Sequence, residues 1–255
     1  APVAYMSANI LSAYRTGAVP GVGYKHLSRP DSKVAAIIGP GVMSKTALAA
    51  IMAVRPGIET VKVKGRGKAS LEKFIAHVKQ EYPQVNVYAV DTMEEAVRDA
   101  DIVSASTSTP TGDPAEYPYI KESWIKPGAL ISSTAALRFD DDFIINRART
   151  VTDNIKLYEA WEEEMKPNAY NTVPIPAVHV MDLIADGKMQ PEQVDDLGDI
   201  LMGRIPVHRK DDEIIVYSIG GMPVEDVAWG TMVYRNALAK GIGTKLTLWN
   251  TPQMI

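Results

Sequence analysis

Cysteine is absent from the 255-residue sequence, which excludes disulfide bonds, thiolate nucleophiles and cysteine-based metal sites. No apolar run reaches the roughly 18 residues that a membrane-spanning helix needs. The first residues, APVAYMSANI, lack both the basic region and the apolar core of a signal peptide. They also lack an initiator methionine, so we expect a processed or truncated chain. A cytoplasmic location is the prediction from these features.

An excess of basic residues is also lacking, because the net charge is -4. The sequence therefore gives no reason to expect nucleic acid or an anionic membrane as a partner. The four histidines form no paired spacing such as H-E-x-x-H, so we expect solvated or hydrogen-bonded side chains and no metal site. No Ser-centred G-x-S-x-G turn is present, which leaves a hydrolase function without support.

What is present is a regular alternation of short β-rich segments and helical segments. The predicted strands of this part are KVAAIIG, TVKVK, VNVYAV, DIVSAST and GALISST. Alternation at this spacing predicts parallel βαβ units with right-handed crossovers. We therefore expect an α/β fold with a doubly wound, Rossmann-type parallel sheet over about residues 30–155. Mostly helices follow Asp153, with one further strand at 213–221.

A glycine turn between the first predicted strand and its helix fits the pattern G-x-G-x-x-small. The first glycine permits a tight turn, the second lets the backbone approach a pyrophosphate, and the small last residue lets helix pack on strand. The helix N-terminus then supplies free N–H groups to the phosphates. An ordinary glycine turn is the alternative, but the place in a βαβ unit favours dinucleotide binding. The cofactor-binding candidates here are Gly39, Pro40, Gly41, Val42, Met43 and Ser44.

The second predicted strand ends in a basic cluster, at the point where an acid is expected. An acid that binds the ribose 2′-hydroxyl of NAD should lie ~20 residues after the glycine turn. Residues 61–68 contain no Asp or Glu, but they contain Arg66 and Lys68. An arginine suits a 2′-phosphate because its planar fork donates two charge-assisted hydrogen bonds. A solvated basic turn is the alternative; the pattern favours NADP(H) as the cofactor, with NAD(H) second.

Small hydroxyl side chains follow the fourth and fifth predicted strands. Ser106 and Thr107 come after the fourth strand, and Ser133 lies at the end of the fifth. In an open α/β sheet the ligand crevice lies at the carboxyl ends of the strands. We therefore count these three residues among the cofactor-binding candidates.

Several segments taken together resemble the ornithine cyclodeaminase/μ-crystallin family. They are YRTGAVPGVGYKHLSRPDSKVAAIIGPGVMS, DTMEEAVRDADIVSAST and IIVYSIGGMPVEDVAWGTMVYRNALAKGIGTKL. The resemblance runs from about Leu11 to Leu248. It implies a Rossmann domain that binds NAD(P)(H), a small-molecule substrate that is an amino acid or its imine, and homodimers formed through a separate domain.

The resemblance also implies roles for individual residues. Arg15 matches the arginine that clamps the substrate carboxylate, and Thr16 matches its neighbour near the cofactor phosphates. Arg66 matches the 2′-phosphate arginine of the NADP-using members. Asp226 matches the acid of a late Gly-Gly…Asp segment and is the candidate catalytic acid. Lys25 is a second candidate for binding the substrate.

Two features depart from the family pattern. Family members have a longer segment before the Arg-Thr helix, which supplies much of the dimerisation domain and further basic substrate ligands. We therefore expect a fragment or an incomplete substrate site. Cyclodeaminases carry an acid/base Asp after the fifth strand, and the matching position here is Leu137, which cannot transfer protons. The acids at 140–142 are predicted to begin the next helix.

We expect three parts of the chain. Residues 1–29 form a first helix and part of a substrate/dimerisation domain, residues 30–212 form the Rossmann domain, and residues 213–255 form a strand and helix that return to the first part. The favoured function is an NADP(H)-dependent oxidoreductase acting on the C–N bond of an amino acid or imine. The alternatives are a cyclodeaminase with bound NAD, and a non-catalytic NADP(H)-binding protein or accessory subunit of an amine-oxidising system.

Overall fold

The computed structural model describes residues 2–108, 112–247 and 249. Its centre is one eight-stranded sheet in which all strand pairs are parallel. The strands are β1 (Val34–Ile38), β2 (Thr60–Lys64), β3 (Asn86–Ala89), β4 (Ile102–Ala105), β5 (Leu130–Ser133), β6 (Ala148–Thr152), β7 (Val194–Asp196) and β8 (Ile214–Ser218). Their order is β3-β2-β1-β4-β5-β8-β6-β7. The strand order reverses between β1 and β4, which opens a crevice at the carboxyl ends of these strands.

Helices cover both faces of the sheet. They are α1 (Asn9–Leu27), α2 (Val42–Val54), α3 (Lys68–Glu81), α4 (Met93–Val97), α5 (Asp141–Asn146), α6 (Ile155–Met165), α7 (Pro176–Ala185), α8 (Leu197–Leu201) and α9 (Pro223–Ala239). Ala35 and Ile37 of β1 pack in the apolar cluster shared with α1, α2, α3 and α8, whereas Ala36 and Ile38 pack in the cluster shared with α4 to α7. Because β1 is buried on both faces, its sequence is a continuous apolar run.

The doubly wound Rossmann-type fold predicted from the sequence is confirmed. The five predicted strands are β1 to β5, the first helix predicted within residues 1–29 is α1, and the helix predicted after the glycine turn is α2. The expected end of the sheet near residue 155 is wrong, because β7 and β8 both lie beyond it and belong to the same sheet. The predicted strand at 213–221 is β8, but it lies between β5 and β6 and pairs with both. A domain boundary at residue 213 would therefore cut through the sheet.

The two strands that were not predicted carry weak patterns. β6 has the sequence ARTVT, whose Arg149 and two threonines are buried although they are polar. The guanidinium of Arg149 is neutralised by Asp195 of β7, with Nε and Oδ2 2.7 Å apart. β7 itself has only three residues. Polar residues and short length hide both strands from a search for apolar runs.

Helices α1 and α9 pack on one another, and α1 also packs along α2. Gly17 of α1 faces Thr46 of α2, and Gly21 faces Ala50, so the two helices run parallel and close together. No helix in the described ranges is both long enough and apolar enough to span a bilayer. Leu248, where the family resemblance ends, and residues 250–255 of the predicted third part lie outside the described residues.

Candidate active site

A cleft of about 820 Å³ opens at the carboxyl ends of β1, β2 and β4. It occupies the crevice where a doubly wound sheet binds its ligand. The residues predicted to bind a cofactor that line it are Gly39, Pro40, Gly41, Arg66, Ser106 and Thr107. Lys64 and Ser70 also line it, as do two acids on the wall opposite, Asp113 and Glu116. Residues from four separate segments of the sequence thus meet around one cavity.

The glycine turn holds the ends of three strands together. The Gly39 N–H donates a hydrogen bond to the Lys64 carbonyl at 2.9 Å, and the Ser106 N–H donates one to the Ile38 carbonyl at 2.9 Å. Gly39 has a φ of 88°, and a Cβ there would overlap the carbonyl oxygen of Ser106. Gly41 is different, because a Cβ added to it would have no atom of the described residues within 4 Å apart from its chain neighbours. The first glycine therefore serves the turn itself, and the second leaves open space above the backbone.

The N-terminus of α2 faces this open space without a cap. Gly41 is the N-cap residue, no side chain caps the helix, and its first turn contains no acid. Val42 and Met43 expose their side chains at the same end of the helix. Ser44 is fully buried and donates its hydroxyl hydrogen bond to the Gly39 carbonyl, so it closes the turn and does not face the cleft. Uncapped N–H groups beside a glycine without neighbours fit the pyrophosphate of a dinucleotide.

The basic cluster after β2 divides into residues that reach the cleft and one that does not. Arg66 lines the cleft and donates a hydrogen bond from Nη2 to the Ser108 carbonyl at 2.6 Å. Lys64, at the end of β2, lines it too and stands where an acid would bind ribose in an NAD enzyme. Lys68 is absent from the lining, and its side chain is 90% exposed. Sequence spacing pointed to Lys68, but its position on the first turn of α3 turns it to solvent.

Of the hydroxyl residues predicted after β4 and β5, two line the cleft and one does not. Ser106 Oγ lies 2.8 Å from Thr134 Oγ1, and Thr107 Oγ1 donates to the Ala136 carbonyl at 3.1 Å. These two contacts join the loops that follow the neighbouring strands. Ser133 is buried and donates to the Ala135 carbonyl at 2.6 Å. It stabilises the turn after β5 and is not in contact with the cleft.

The side chain of Arg15 extends from α1 to the first turn of α9. Its Nε is 3.0 Å from Asp226 Oδ1, and its Nη1 donates to Glu225 Oε2 at 3.4 Å. No hydrogen bond joins Nη2 to an acceptor in the described ranges, so this one nitrogen of the guanidinium stays available to a ligand. Thr16 follows it on α1 and is partly buried. None of Arg15, Thr16 and Asp226 belongs to the lining of the 820 Å³ cleft.

Glu225 was missed by the sequence analysis, which took only its neighbour Asp226 from the Gly-Gly…Asp segment. Burial raises the pKa of Glu225 above its ordinary value. The negative charges of Asp153 and Asp226 also raise this pKa, whereas the positive charge of Arg15 acts to lower it. The signal was present in the sequence, because two adjacent acids begin α9 directly after the Gly-Gly turn. That both acids reach Arg15 depends on contacts between residues 210 and 211 positions apart.

Lys25 does not join Arg15, contrary to the sequence-based expectation. Lys25 lies in the last turn of α1, about 15 Å from Arg15 along the helix axis at 1.5 Å per residue. The Lys25 carbonyl accepts a hydrogen bond from Nη2 of Arg55 at 2.8 Å, just beyond the last residue of α2. Since α1 and α2 run parallel, this is the end remote from the glycine turn. The exposed Lys25 side chain therefore has no place in a site built on Arg15.

The position of the missing cyclodeaminase acid is closed to solvent. Leu137 is fully buried, and its carbonyl accepts a hydrogen bond from the Tyr170 hydroxyl at 2.6 Å. Asp140 is the N-cap of α5, and Asp141 lies in its first turn, as predicted. His179 contacts Asp141 at 2.8 Å, beside a separate cavity of about 430 Å³. Across the described ranges, no three His, Asp or Glu side chains are grouped so that they could hold a metal ion.

The sequence and structure are similar to proteins of known activity. The chain is 28% identical to the N-((2S)-2-amino-2-carboxyethyl)-L-glutamate dehydrogenase of Staphylococcus aureus over 97% of its own length and 68% of that protein. Its fold matches that of the Thermococcus litoralis Δ1-pyrroline-2-carboxylate reductase, solved with NADH and L-proline, with a TM-score of 0.77 and 25% sequence identity. The match covers 96% of this chain and 71% of that one.

An archaeal alanine dehydrogenase dimer with bound NAD also matches, with a TM-score of 0.77 and 25% sequence identity. This match covers 98% of this chain and 71% of that one. A sequence model of the ornithine cyclodeaminase/mu-crystallin family matches residues 1–241. The match includes the Arg-Thr of α1, the glycine turn and the Gly-Gly…Asp segment, so the resemblance seen in the sequence is confirmed. The chain belongs to the ornithine cyclodeaminase/mu-crystallin family.

Proposed function

We propose that this protein is an NADP(H)-dependent oxidoreductase that acts by hydride transfer on the C–N bond of an amino acid or its imine. The observation that carries the proposal is the meeting of the glycine turn, the uncapped end of α2 and Arg66 around one cleft. Reductases of imines and dehydrogenases of amino acids among the relatives support the reaction class. When bound, the reduced nicotinamide supplies the hydride.

The protein's own residues bind and orient the cofactor. The open backbone at Gly41 and the N–H groups of the first turn of α2 bind the pyrophosphate. Arg66, with Lys64 beside it, binds the 2′-phosphate by charge-assisted hydrogen bonds. The preference for NADP(H) over NAD(H) follows from these two cations, because an acid at this place would instead repel the 2′-phosphate.

Arg15 binds the substrate carboxylate through Nη2, which donates no hydrogen bond to a residue in the described part of the chain. Glu225 holds Nη1, and Asp226 lies beside Nε. Asp226 is the candidate proton donor, because its side chain is 41% exposed and can exchange protons with water between turnovers. Leu137 offers no titratable group, which disfavours the cyclodeaminase reaction.

Turnover assays separate the three functions. With NADPH and Δ1-pyrroline-2-carboxylate, an imine reductase oxidises one NADPH per imine consumed. A cyclodeaminase instead releases ammonia from ornithine with no net change in NADPH. Tight NADPH binding with neither reaction would contradict the proposal and favour an accessory role.

The cofactor preference is tested by Arg66→Ala, with Lys68→Ala as a matched loss of one charge outside the cleft. Losing charge-assisted hydrogen bonds of about 1.5–3 kcal/mol should raise the Kd for NADPH roughly 10- to 150-fold. NADH affinity should stay unchanged, and Lys68→Ala should leave both affinities near those of the natural protein. Equal losses for NADPH and NADH in Arg66→Ala would refute the 2′-phosphate assignment.

We also propose a homodimer, formed over the exposed apolar residues of α9. None of its residues is buried in the single chain, although Val227, Met232, Val233 and Leu238 are apolar. Apolar patches of this kind are typical of interfaces. Sedimentation should give a dimer mass, and Met232→Asp should lower it to a monomer mass, while Lys79→Asp on α3 should not.

A cytoplasmic location stays a prediction, to be checked by fractionation of source cells.

A further inference from the structure

The Gly-Gly turn after β8 is packed on two sides. Gly221 has a φ of 74°, and a Cβ there would overlap Nη1 of Arg15. A Cβ on Gly220 would lie 2.7 Å from Leu157 Cδ2 and 3.0 Å from Trp161 Cη2, both on α6. The guanidinium of Arg15 therefore rests directly on the backbone of this turn. Any movement of the turn is transmitted to Arg15, because no side chain separates them.

A single carboxylate holds the turn in place. Asp153, directly after β6, accepts hydrogen bonds at Oδ2 from the N–H groups of Gly220 at 3.1 Å and Gly221 at 2.8 Å. Its Oδ1 accepts from the Tyr158 hydroxyl at 2.6 Å and from the Asn154 N–H at 3.0 Å. A carboxylate has about four lone-pair directions, so all of its acceptor capacity is used. We call Asp153 and the two glycine N–H groups the Asp153 clasp.

From these contacts we infer that Asp153 is a positioning residue for Arg15 and, through it, for the substrate carboxylate. The clasp fixes the turn, the turn supports Nη1, and Glu225 and Asp226 hold the guanidinium from the first turn of α9. These contacts together set the orientation of the guanidinium, and therefore the direction in which Nη2 faces the substrate. The inference rests on the proposed function, in which Arg15 binds the carboxylate.

Asp153→Asn tests the clasp with little change in size. An amide has one acceptor oxygen and one donor nitrogen, so it cannot accept all four hydrogen bonds. We expect the KM for Δ1-pyrroline-2-carboxylate to rise about tenfold or more, since a small misplacement at a binding group is costly. The kcat and the Kd for NADPH should stay near their natural values. Tyr158→Phe is the matched control, because it removes one bond to Asp153 and keeps both glycine contacts.

The carboxylate-free imine 1-pyrroline separates positioning from general damage. Its reduction does not use Arg15, so Asp153→Asn should leave its kcat/KM unchanged. In a double-mutant cycle, Asp153→Asn should have little further effect on pyrroline-2-carboxylate once Arg15→Ala is present. Equal losses in both backgrounds, or equal losses for both imines, would overturn the inference.

The glycine variants give a second measurement if Asp153→Asn does not fold. Gly221→Ala places a methyl group against Arg15, whereas Gly220→Ala places one against α6. We expect the larger rise in KM for the carboxylate substrate from Gly221→Ala, and an equal or smaller rise than in Gly220→Ala would count against the inference. Failure of the proposed function is distinguishable, because it would show in the natural protein as absent imine reduction, or in Arg15→Ala as an unchanged KM.

Discussion

Gly41→Ala should weaken NADPH binding while leaving the free protein folded. Gly41 has φ and ψ of -97° and -170°, a conformation open to any residue. Apart from its chain neighbours, an added Cβ meets no atom of the described part of the chain within 4 Å. The space that the methyl group fills is therefore the space assigned to the pyrophosphate. This substitution separates the cofactor's requirement for glycine from the requirement of the fold.

The magnitudes follow from the geometry. In the free protein, an alanine N-cap is less favourable than glycine by up to about 1 kcal/mol, and the reduced entropy of the unfolded chain offsets about 0.4–1 kcal/mol of this. The net change in the free energy of unfolding is therefore within about 1 kcal/mol. Lifting the pyrophosphate off the helix N-terminus costs at least one charge-assisted hydrogen bond, about 1.5–3 kcal/mol, or roughly a 10- to 150-fold rise in Kd.

Gly39→Ala is the contrasting variant at the other glycine of the turn. Its φ of 88° costs about 1–2 kcal/mol for a residue with a Cβ, and the overlap with the Ser106 carbonyl adds about 1–3 kcal/mol. At about 2–4 °C per kcal/mol for a chain of this size, Tm should fall by roughly 4–20 °C. Gly39→Ala should thus lose stability, and Gly41→Ala should lose binding alone.

Thermal unfolding with and without NADPH measures both effects. NADPH at about 100 times its Kd stabilises the natural protein by about 2.7 kcal/mol, and this rise in Tm should shrink or vanish in Gly41→Ala. Isothermal titration gives the Kd directly. Unchanged NADPH affinity in Gly41→Ala would refute the assignment of the pyrophosphate to this turn. A large drop in the Tm of free Gly41→Ala would show that the space above Gly41 is not open.

Two further predictions concern buried polar groups of the sheet. Tyr24→Phe removes a buried hydroxyl that lies 2.8 Å from both Ser104 Oγ and Ser132 Oγ, and urea unfolding should show a loss of about 1–3 kcal/mol. Burial acts to raise the pKa of Asp101, but hydrogen bonds from Lys126 and two backbone N–H groups outweigh it, so this pKa lies below its ordinary value. The folded state then gains stability above the ordinary Asp pKa and loses it as pH falls through the lowered one. Asp101→Asn should flatten that acid limb of unfolding free energy against pH, and an unchanged limb would contradict the assignment.

Local sequence was sufficient for β1, the glycine turn and α2. An apolar run, two glycines and an uninterrupted helical segment are adjacent in the chain, and each follows from its own residues. The same holds for Arg66, because the end of β2 lies beside the end of β1 in any right-handed βαβ unit. These residues therefore meet at one cleft whatever the rest of the chain does.

Tertiary structure decided everything that depends on contacts between distant segments. The place of β8 inside the sheet follows from pairing with β5 and β6, and no local pattern encodes it. The packing of α1 along α2 turned Lys25 away from the site. The meeting of Arg15 with Glu225, and the grip of Asp153 on the Gly-Gly turn, join residues 210 and 68 positions apart. Local patterns fix a turn because its atoms are neighbours in the chain, whereas a substrate site assembled from three elements exists only after those elements have packed.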